Sequence, residues 1–308
     1  MSLEKYHTPV LLKESVEALQ IKPEGIYIDL TFGGGGHSKE ILKQLTTGKL
    51  LAFDQDEDAV KNAELFYNNP EFKDRFFFIH SNFRYFKNFL KYYKINKVSG
   101  ILADLGVSSH QFDTAQRGFS YRMEGKPDMR MNKNIKTDAA TIINTYSKEE
   151  LIRIFKNYGE IDNAGRLVEM IITEREKKTV ETISELAEII VKIAPKGKDY
   201  KYSSQVYQAL RIEVNSEIEA LESFLIQTPD VLEKGGRLVV ISYHSLEDRP
   251  VKNFMKSGNL QGELIKDVFG VIQSPFEPSS NKIITPSQEE LNINSRAASA
   301  KMRIAQKK

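Results

Sequence analysis

The stretch Tyr27-Ile28-Asp29-Leu30-Thr31-Phe32-Gly33-Gly34-Gly35-Gly36-His37-Ser38 narrows the possible folds of this chain more than any other. An apolar, β-branched run meets an acidic residue, four consecutive glycines follow, and Ser38-Lys39-Glu40-Ile41-Leu42 begins a helical pattern. A strand that turns through glycines onto a helix N-terminus leaves backbone N–H groups bare to a ligand, with no Cβ in the way. The next apolar run, Leu50-Leu51-Ala52-Phe53, ends in Asp54, about twenty residues on, where a nucleotide site places its acceptor for ribose hydroxyls. The pairing predicts an adenosine-like cofactor. Glycines alone would suit a plain turn, and Asp54 alone a cap for Asp56-Glu57-Asp58-Ala59; the strand before and the helix after favour the ligand. A G-x-G-x-x-G fingerprint is incomplete, because its third glycine falls on Ser38 or Lys39, and no G-x-x-x-x-G-K-[ST] occurs.

Short apolar runs at 26–32, 49–54, 76–80, 98–107 and 237–243 read as strands, separated up to residue 107 by helical or turn segments. Such alternation predicts a doubly wound, mostly parallel α/β sheet of Rossmann-like type. After Val107 the pattern stops. Residues 110–135 read as loop and 138–194 as helix after helix, with capping boxes at Ser147-Lys148-Glu149-Glu150 and Thr182-Ile183-Ser184-Glu185. Val206, Leu210, Val214, Ile218, Leu221 and Leu225 line one face of a further helix, and Gly235-Gly236 closes that region before Arg237-Leu238-Val239-Val240-Ile241 resumes the sheet. The expected organisation is an α/β part at 1–109, a helical insertion at 110–200 suited to substrate recognition, and a second α/β part at 201–308. Ser299 to Ala305 is expected as a last edge strand.

The 308 residues carry 44 Lys+Arg against 42 Asp+Glu, so any nucleic-acid surface must be local. Without cysteine there is no disulfide, thiolate metal site or Cys nucleophile, which suits a cytoplasmic protein. Met1 to Val10 lacks the pattern of a signal peptide, and no window holds the roughly eighteen apolar residues of a membrane span.

Two strand ends gather chemistry. In Ile101-Leu102-Ala103-Asp104-Leu105-Gly106, Asp104 offers an acceptor where open α/β sheets bind ligands, or else caps a turn. After the last apolar run, Ser242-Tyr243-His244-Ser245-Leu246-Glu247-Asp248-Arg249 collects titratable groups, with His244 a candidate catalyst or a local hydrogen-bonding residue. His37, His80 and His110 lack metal-ligand spacing, so no metal is expected. Arg117, Phe119, Tyr121, Arg122, Lys126 and Arg130 interleave cations with aromatics. That pattern suits phosphate contact and base stacking in RNA, and equally a solvated loop with core anchors. Arg296, Lys301, Arg303, Lys307 and Lys308 form a second basic cluster.

Longer blocks carry a more specific signal. They are His7-Thr8-Pro9-Val10-Leu11-Leu12-Lys13-Glu14, Asp29 to Ser38, Asp104 to Ser109, Arg117-Gly118-Phe119-Ser120, Asp128-Met129-Arg130-Met131, Tyr158-Gly159-Glu160, Ser242 to Arg249, and Asn294 to Arg303. In this order they resemble the bacterial small-subunit ribosomal RNA cytidine-N4 methyltransferases, the MraW/RsmH type, nearly end to end. The resemblance implies a class I methyltransferase fold with an inserted helical domain, S-adenosylmethionine as cofactor, and methylation of the exocyclic N4 of a cytidine in the decoding region of 16S rRNA, within the small ribosomal subunit. Carried over by motif, Gly35, Gly36, His37, Asp54, Phe83, Asp104 and Gln111 would contact the cofactor. Two departures stand out. Asp104-Leu105-Gly106-Val107 replaces the Asp/Asn/Ser-Pro-Pro-aromatic motif of DNA amino-methyltransferases, so catalytic roles cannot be copied from them, and Leu30 stands where the family tends to have a smaller residue.

The residue chemistry agrees with that resemblance. Cytosine N4 is a poor nucleophile because its lone pair is delocalised into the ring. An acceptor such as Asp104, or a neighbouring carbonyl, could localise that pair and take the proton. Two alternatives remain open on sequence: a nicotinamide-dependent oxidoreductase sharing the glycine turn, and a non-catalytic RNA-binding assembly factor.

Overall fold

The computed structural model describes residues 9–279 and 283–308; His7 and Thr8 of the amino-terminal block lie outside them. The chain forms two compact units, the first running to Gly106 and resuming with Ile218–Lys308, the second comprising Val107–Glu217. In the first, α1 (Leu12–Leu19) precedes β1 (Ile26–Asp29), α2 (Gly36–Gln44), β2 (Lys49–Asp54), α3 (Glu57–Tyr67), β3 (Phe76–His80), α4 (Phe86–Tyr92) and β4 (Val98–Asp104). The second holds α5 (Ser109–Asp113), α6 (Ala139–Thr145), α7 (Lys148–Asn157), α8 (Ala164–Lys177), α9 (Ile183–Ile193) and α10 (Asp199–Asn215). The chain then returns through α11 (Glu217–Val231), β5 (Leu232–Ser242), α12 (Ser245–Ser257), β6 (Phe276–Pro278), α13 (Gln288–Ile293) and β7 (Lys301–Lys307).

The strands make one sheet in the order β3-β2-β1-β4-β5-β7-β6. Pairing is parallel from β3 to β5 and antiparallel on both sides of β7. Alternate residues serve opposite cores: Ile28, Leu51, Ile101 and Leu238 pack on one side, Tyr27, Leu50, Leu102 and Val239 on the other. With both faces covered, each strand reads as an unbroken apolar run. Leu30 is fully accommodated, 1% exposed in the first of these cores. The order reverses between β1 and β4, which places the crevice of the sheet at Asp29 and Asp104.

Three expectations change. The tail strand forms, but β7 lies between β5 and β6, so short β6 takes the edge. Alternation of polar Lys301 and Arg303 with buried Met302 imitates an edge, whereas the Arg303 guanidinium makes two bonds to Asp248, at 2.7 and 2.9 Å. Gly235-Gly236 does not end a helix. It lies inside β5, where the pairing shifts from Val98↔Leu232 to Gly100↔Arg237. The single helix expected through Val206 and Leu225 breaks at Ser216, which is left-handed at φ 49° and ψ 46°. Val206, Leu210 and Val214 bury in the insertion core, Leu221 and Leu225 in the sheet core. The second unit therefore extends beyond residue 200, to Glu217. Hydrophobic spacing continues across the break, so periodicity cannot reveal it.

The insertion has its own core, to which Ile142, Leu151, Ile154, Leu167, Val168 and Leu186 contribute. Both expected capping boxes are present. A third, Ser108 with Gln111, starts α5 inside the segment read as loop; five residues are too few to show a period.

Candidate functional site

Asp29, at the end of β1, is 1% exposed. Ser38 Oγ donates to its Oδ2 at 2.6 Å and the Thr31 N–H to its Oδ1 at 3.1 Å, so the carboxylate ties the strand end to the first turn of α2. Burial pushes its pKa up. Between them the glycines divide their work. A Cβ on Gly35 would lie 2.6 Å from the Phe66 ring, and one on Gly36 only 2.1 Å from Pro9 Cγ, so both are required by packing. Gly33 is different: at φ 51° it has nothing within 4 Å of where a Cβ would stand. Its N–H donates to Asp54 Oδ2 at 2.8 Å and its carbonyl accepts from Asn62 Nδ2 at 2.9 Å, which fixes the open turn in place. Helix α2 has neither a side-chain cap nor an acidic residue in its first turn, leaving its positive end suited to an anion.

Asp54 also accepts from the Asp56 N–H at 2.9 Å. Burial lifts its pKa to about 6 against the pull of those two backbone bonds. Next along the chain, Gln55 Oε1 accepts from Asn82 Nδ2 at 2.9 Å, joining the ends of β2 and β3. Phe83 follows Asn82 and stands edge-on to Phe224, 6.1 Å between centroids, half-buried.

Asp104 donates its N–H to Thr31 Oγ1 at 2.7 Å, which couples the ends of β4 and β1. Its Oδ1 accepts from the Tyr243 hydroxyl at 2.8 Å, and its Oδ2 lies 4.0 Å from His37 Nδ1. His37 Nε2 is 3.2 Å from the Val10 carbonyl. A carbonyl only accepts, so Nε2 carries the hydrogen. Burial pushes the imidazole pKa down to about 4, hence at neutral pH the ring is uncharged and Nδ1 is a bare lone pair. When Asp104 is ionised, two acceptors face one another across 4.0 Å, an arrangement that suits a donor such as an amine placed between them. Burial, with the Asp29, Glu247 and Glu290 carboxylates adding to it, raises the Asp104 pKa to about 7; the Tyr243 bond opposes the rise.

His244 precedes α12, with Nε2 3.2 Å from Glu247 Oε1. Glu247 Oε2 accepts from the Tyr243 N–H at 2.8 Å. The imidazole thus shares Glu247 with the backbone that carries Tyr243. The sequence groups Tyr243 with the titratable residues of Ser242 to Arg249 but gives it no role of its own, because its partner Asp104 stands 139 positions away.

The remaining candidates lie in the second unit. Gln111 is buried, and its Oε1 accepts from the Ser108 N–H at 3.0 Å, closing the capping box. Arg117 is 3% exposed, and its Nη2 donates to the Arg130 and Met131 carbonyls at 3.0 and 3.2 Å. Phe119 is a core residue beneath it. The Arg130 fork closes on Asp128 at 2.7 and 2.8 Å, and its Nη1 serves the Lys133 and Ile135 carbonyls. Lys126 pairs with Asp138. Tyr121 stands edge-on to Tyr207 at 5.6 Å. Arg117, Phe119 and Arg130 therefore make contacts that build the loop, the second of the two readings left open by the sequence, and these contacts do not test RNA binding. Arg122 is exposed, its guanidinium 5.6 Å from the Tyr121 ring and 6.0 Å from that of Tyr200, itself 74% exposed.

Five parallel strands followed by one inserted antiparallel strand, with a glycine turn leaving the first strand at the switch point, give the chain the class I methyltransferase fold. The match to known proteins is narrower. Residues 4–308 fit the MraW methylase family, and the chain belongs to it. The ribosomal RNA small subunit methyltransferase H of Bacteroides fragilis (strain YCH46) is 53% identical over 304 residues, covering 98% of each chain. Its namesakes in Christiangramia forsetii (52% over 309 residues, 100% and 99% covered) and Cytophaga hutchinsonii (53% over 302 residues, 98% and 99%) are as similar. These matches support neither the oxidoreductase nor the non-catalytic alternative. Among the described residues no helix is long and apolar enough to cross a membrane.

Proposed function

We propose that this protein transfers a methyl group from S-adenosylmethionine to the exocyclic N4 of a cytidine in the decoding region of 16S rRNA, acting on the small ribosomal subunit in the cytoplasm. The observation that carries the reading is the acceptor pair of His37 Nδ1 and Asp104 Oδ2 beside the open glycine turn. The residues present fit the cofactor. Open space at Gly33 leaves room for close approach, the uncapped start of α2 suits its carboxylate, Asp54 suits its ribose hydroxyls, and Phe83 offers an apolar ring for adenine. Gly35 and Gly36 shape the turn by packing, and Gln111 joins the set by family motif. When bound, S-adenosylmethionine supplies a methyl group already activated on a sulfonium.

What the chain must then do is orient and deprotonate. Holding reactants in line accounts for several kcal/mol of barrier, about seven to eleven in favourable cases. Asp104 Oδ2 accepts an N–H of the amine, localising the nitrogen lone pair, and takes up the proton that is shed; a carboxyl poised at about 7 is matched to that task. The target base is extruded from its stack to reach this crevice. On the insertion, Arg122 and Tyr200 offer an exposed cation and ring to unpaired RNA. The test is tritiated-methyl transfer to small subunits lacking the modification, with the labelled nucleotide mapped. Label on any other position, or none, refutes the assignment.

A further inference from the structure

Tyr243 is held on three sides. Its backbone N–H donates to Glu247 Oε2 at 2.8 Å, and its hydroxyl donates to Asp104 Oδ1 at 2.8 Å. Its ring lies against the turn after β4, where a Cβ on Gly106 would come 3.3 Å from Tyr243 Cδ2. Burial, reinforced by the Asp104 charge, pushes the phenol pKa far above its usual value, so Tyr243 remains a proton donor and is no candidate base.

We propose that Tyr243 is a positioning residue for the proton transfer: by occupying Asp104 Oδ1 it leaves Oδ2, the oxygen facing His37 Nδ1, to receive the proton of the substrate amine. This rests on the reading of Asp104 as proton acceptor. The nitrogen lone pair forms the N–C bond as the S–CH3 bond breaks with its electron pair left on sulfur, which departs as a neutral thioether. The nitrogen loses one hydrogen. Its N–H bond breaks with the electron pair kept on nitrogen, an O–H bond forms at Oδ2, and the methylated amine ends neutral. The charges that act on Asp104 are those of Asp29 at the end of β1, Glu247 on α12 and Glu290 on α13, while His37 on α2, 4.0 Å away, is uncharged. Every one of these carboxylates disfavours ionisation of Asp104, and the Tyr243 hydroxyl is the contact that favours it.

The experiment is the pH profile of single-turnover methyl transfer, with S-adenosylmethionine affinity and circular dichroism measured alongside. In Tyr243→Phe the acid limb should move up by about one pH unit, so that activity below the wild-type limb falls roughly tenfold relative to wild type. Incorporating 3-fluorotyrosine at position 243, a stronger donor of nearly unchanged shape, should move the limb down; this arm decides the matter even where the Phe variant fails to fold. A limb that stays put in the fluorinated protein overturns the proposal, as does a uniform loss of rate in Tyr243→Phe with the limb unmoved. Asp104→Asn separates the two levels. If it turns over normally, the acceptor role of Asp104 fails and Tyr243 loses its part with it. If it abolishes the limb while the Tyr243 variants leave the limb in place, Tyr243 alone is refuted.

Discussion

Asp104→Asn should make the protein more stable and less active, and the size of the first effect follows from burial. The carboxyl is lifted from 3.8 to about 7 by desolvation and by the neighbouring Asp29, Glu247 and Glu290. Between those values the folded chain retains a proton that the unfolded chain releases. Stability therefore declines as pH rises from about 4 to about 7, and the deficit, roughly 4 kcal/mol at most, is complete above that range. Water reaching the side chain, which is 20% exposed, reduces the figure. Asparagine keeps an acceptor for the Tyr243 hydroxyl and cannot ionise. Differential scanning calorimetry at pH 8 should show the sheet unit of Asp104→Asn melting several degrees higher than wild type, with the gap shrinking at pH 5. Methyl transfer should drop by about a hundredfold or more, as expected for loss of a general base. An equal gap at both pH values, or no gap at pH 8, would show that burial of the charge is not what sets this site.

Other substitutions probe separate links. Gly36→Ala should lower the melting temperature by forcing Pro9 away, an overpacking cost of about 1–3 kcal/mol. Gly33→Ala should cost about 1–2 kcal/mol of left-handed strain yet weaken S-adenosylmethionine affinity at least tenfold by titration calorimetry; unchanged affinity would deny the turn its ligand role. Affinity for the cofactor should weaken as pH falls through about 6, where Asp54 protonates, and Asp54→Asn should flatten that dependence. Arg122→Ala should reduce the salt slope of RNA binding by about 0.7 without altering the melting temperature. Arg117→Met should do the reverse, costing about 1–3 kcal/mol by stranding the buried Met131 carbonyl and the half-buried Arg130 carbonyl.

Much of this protein is written at short range. The parallel strands, the capping boxes at Ser147 and Thr182, the glycine turn and the spacing to Asp54 are patterns of two to about twenty residues, and the family blocks add the reaction class. Other features were decided only when distant segments met. Ser216 breaks a continuous apolar stripe because its two halves belong to different cores, and β7 becomes internal because β6 closes over it. Arg117 and Arg130 share a loop with Arg122, yet carbonyls and Asp128 claim the first two and leave the third exposed. Tyr243 becomes chemically significant only through Asp104, 139 positions away in sequence. The physical reason is that periodicity and capping depend on neighbours along the chain. The charge state of a buried carboxyl, by contrast, depends on which charges from β1, α12 and α13 the fold brings to bear on it and how little water remains.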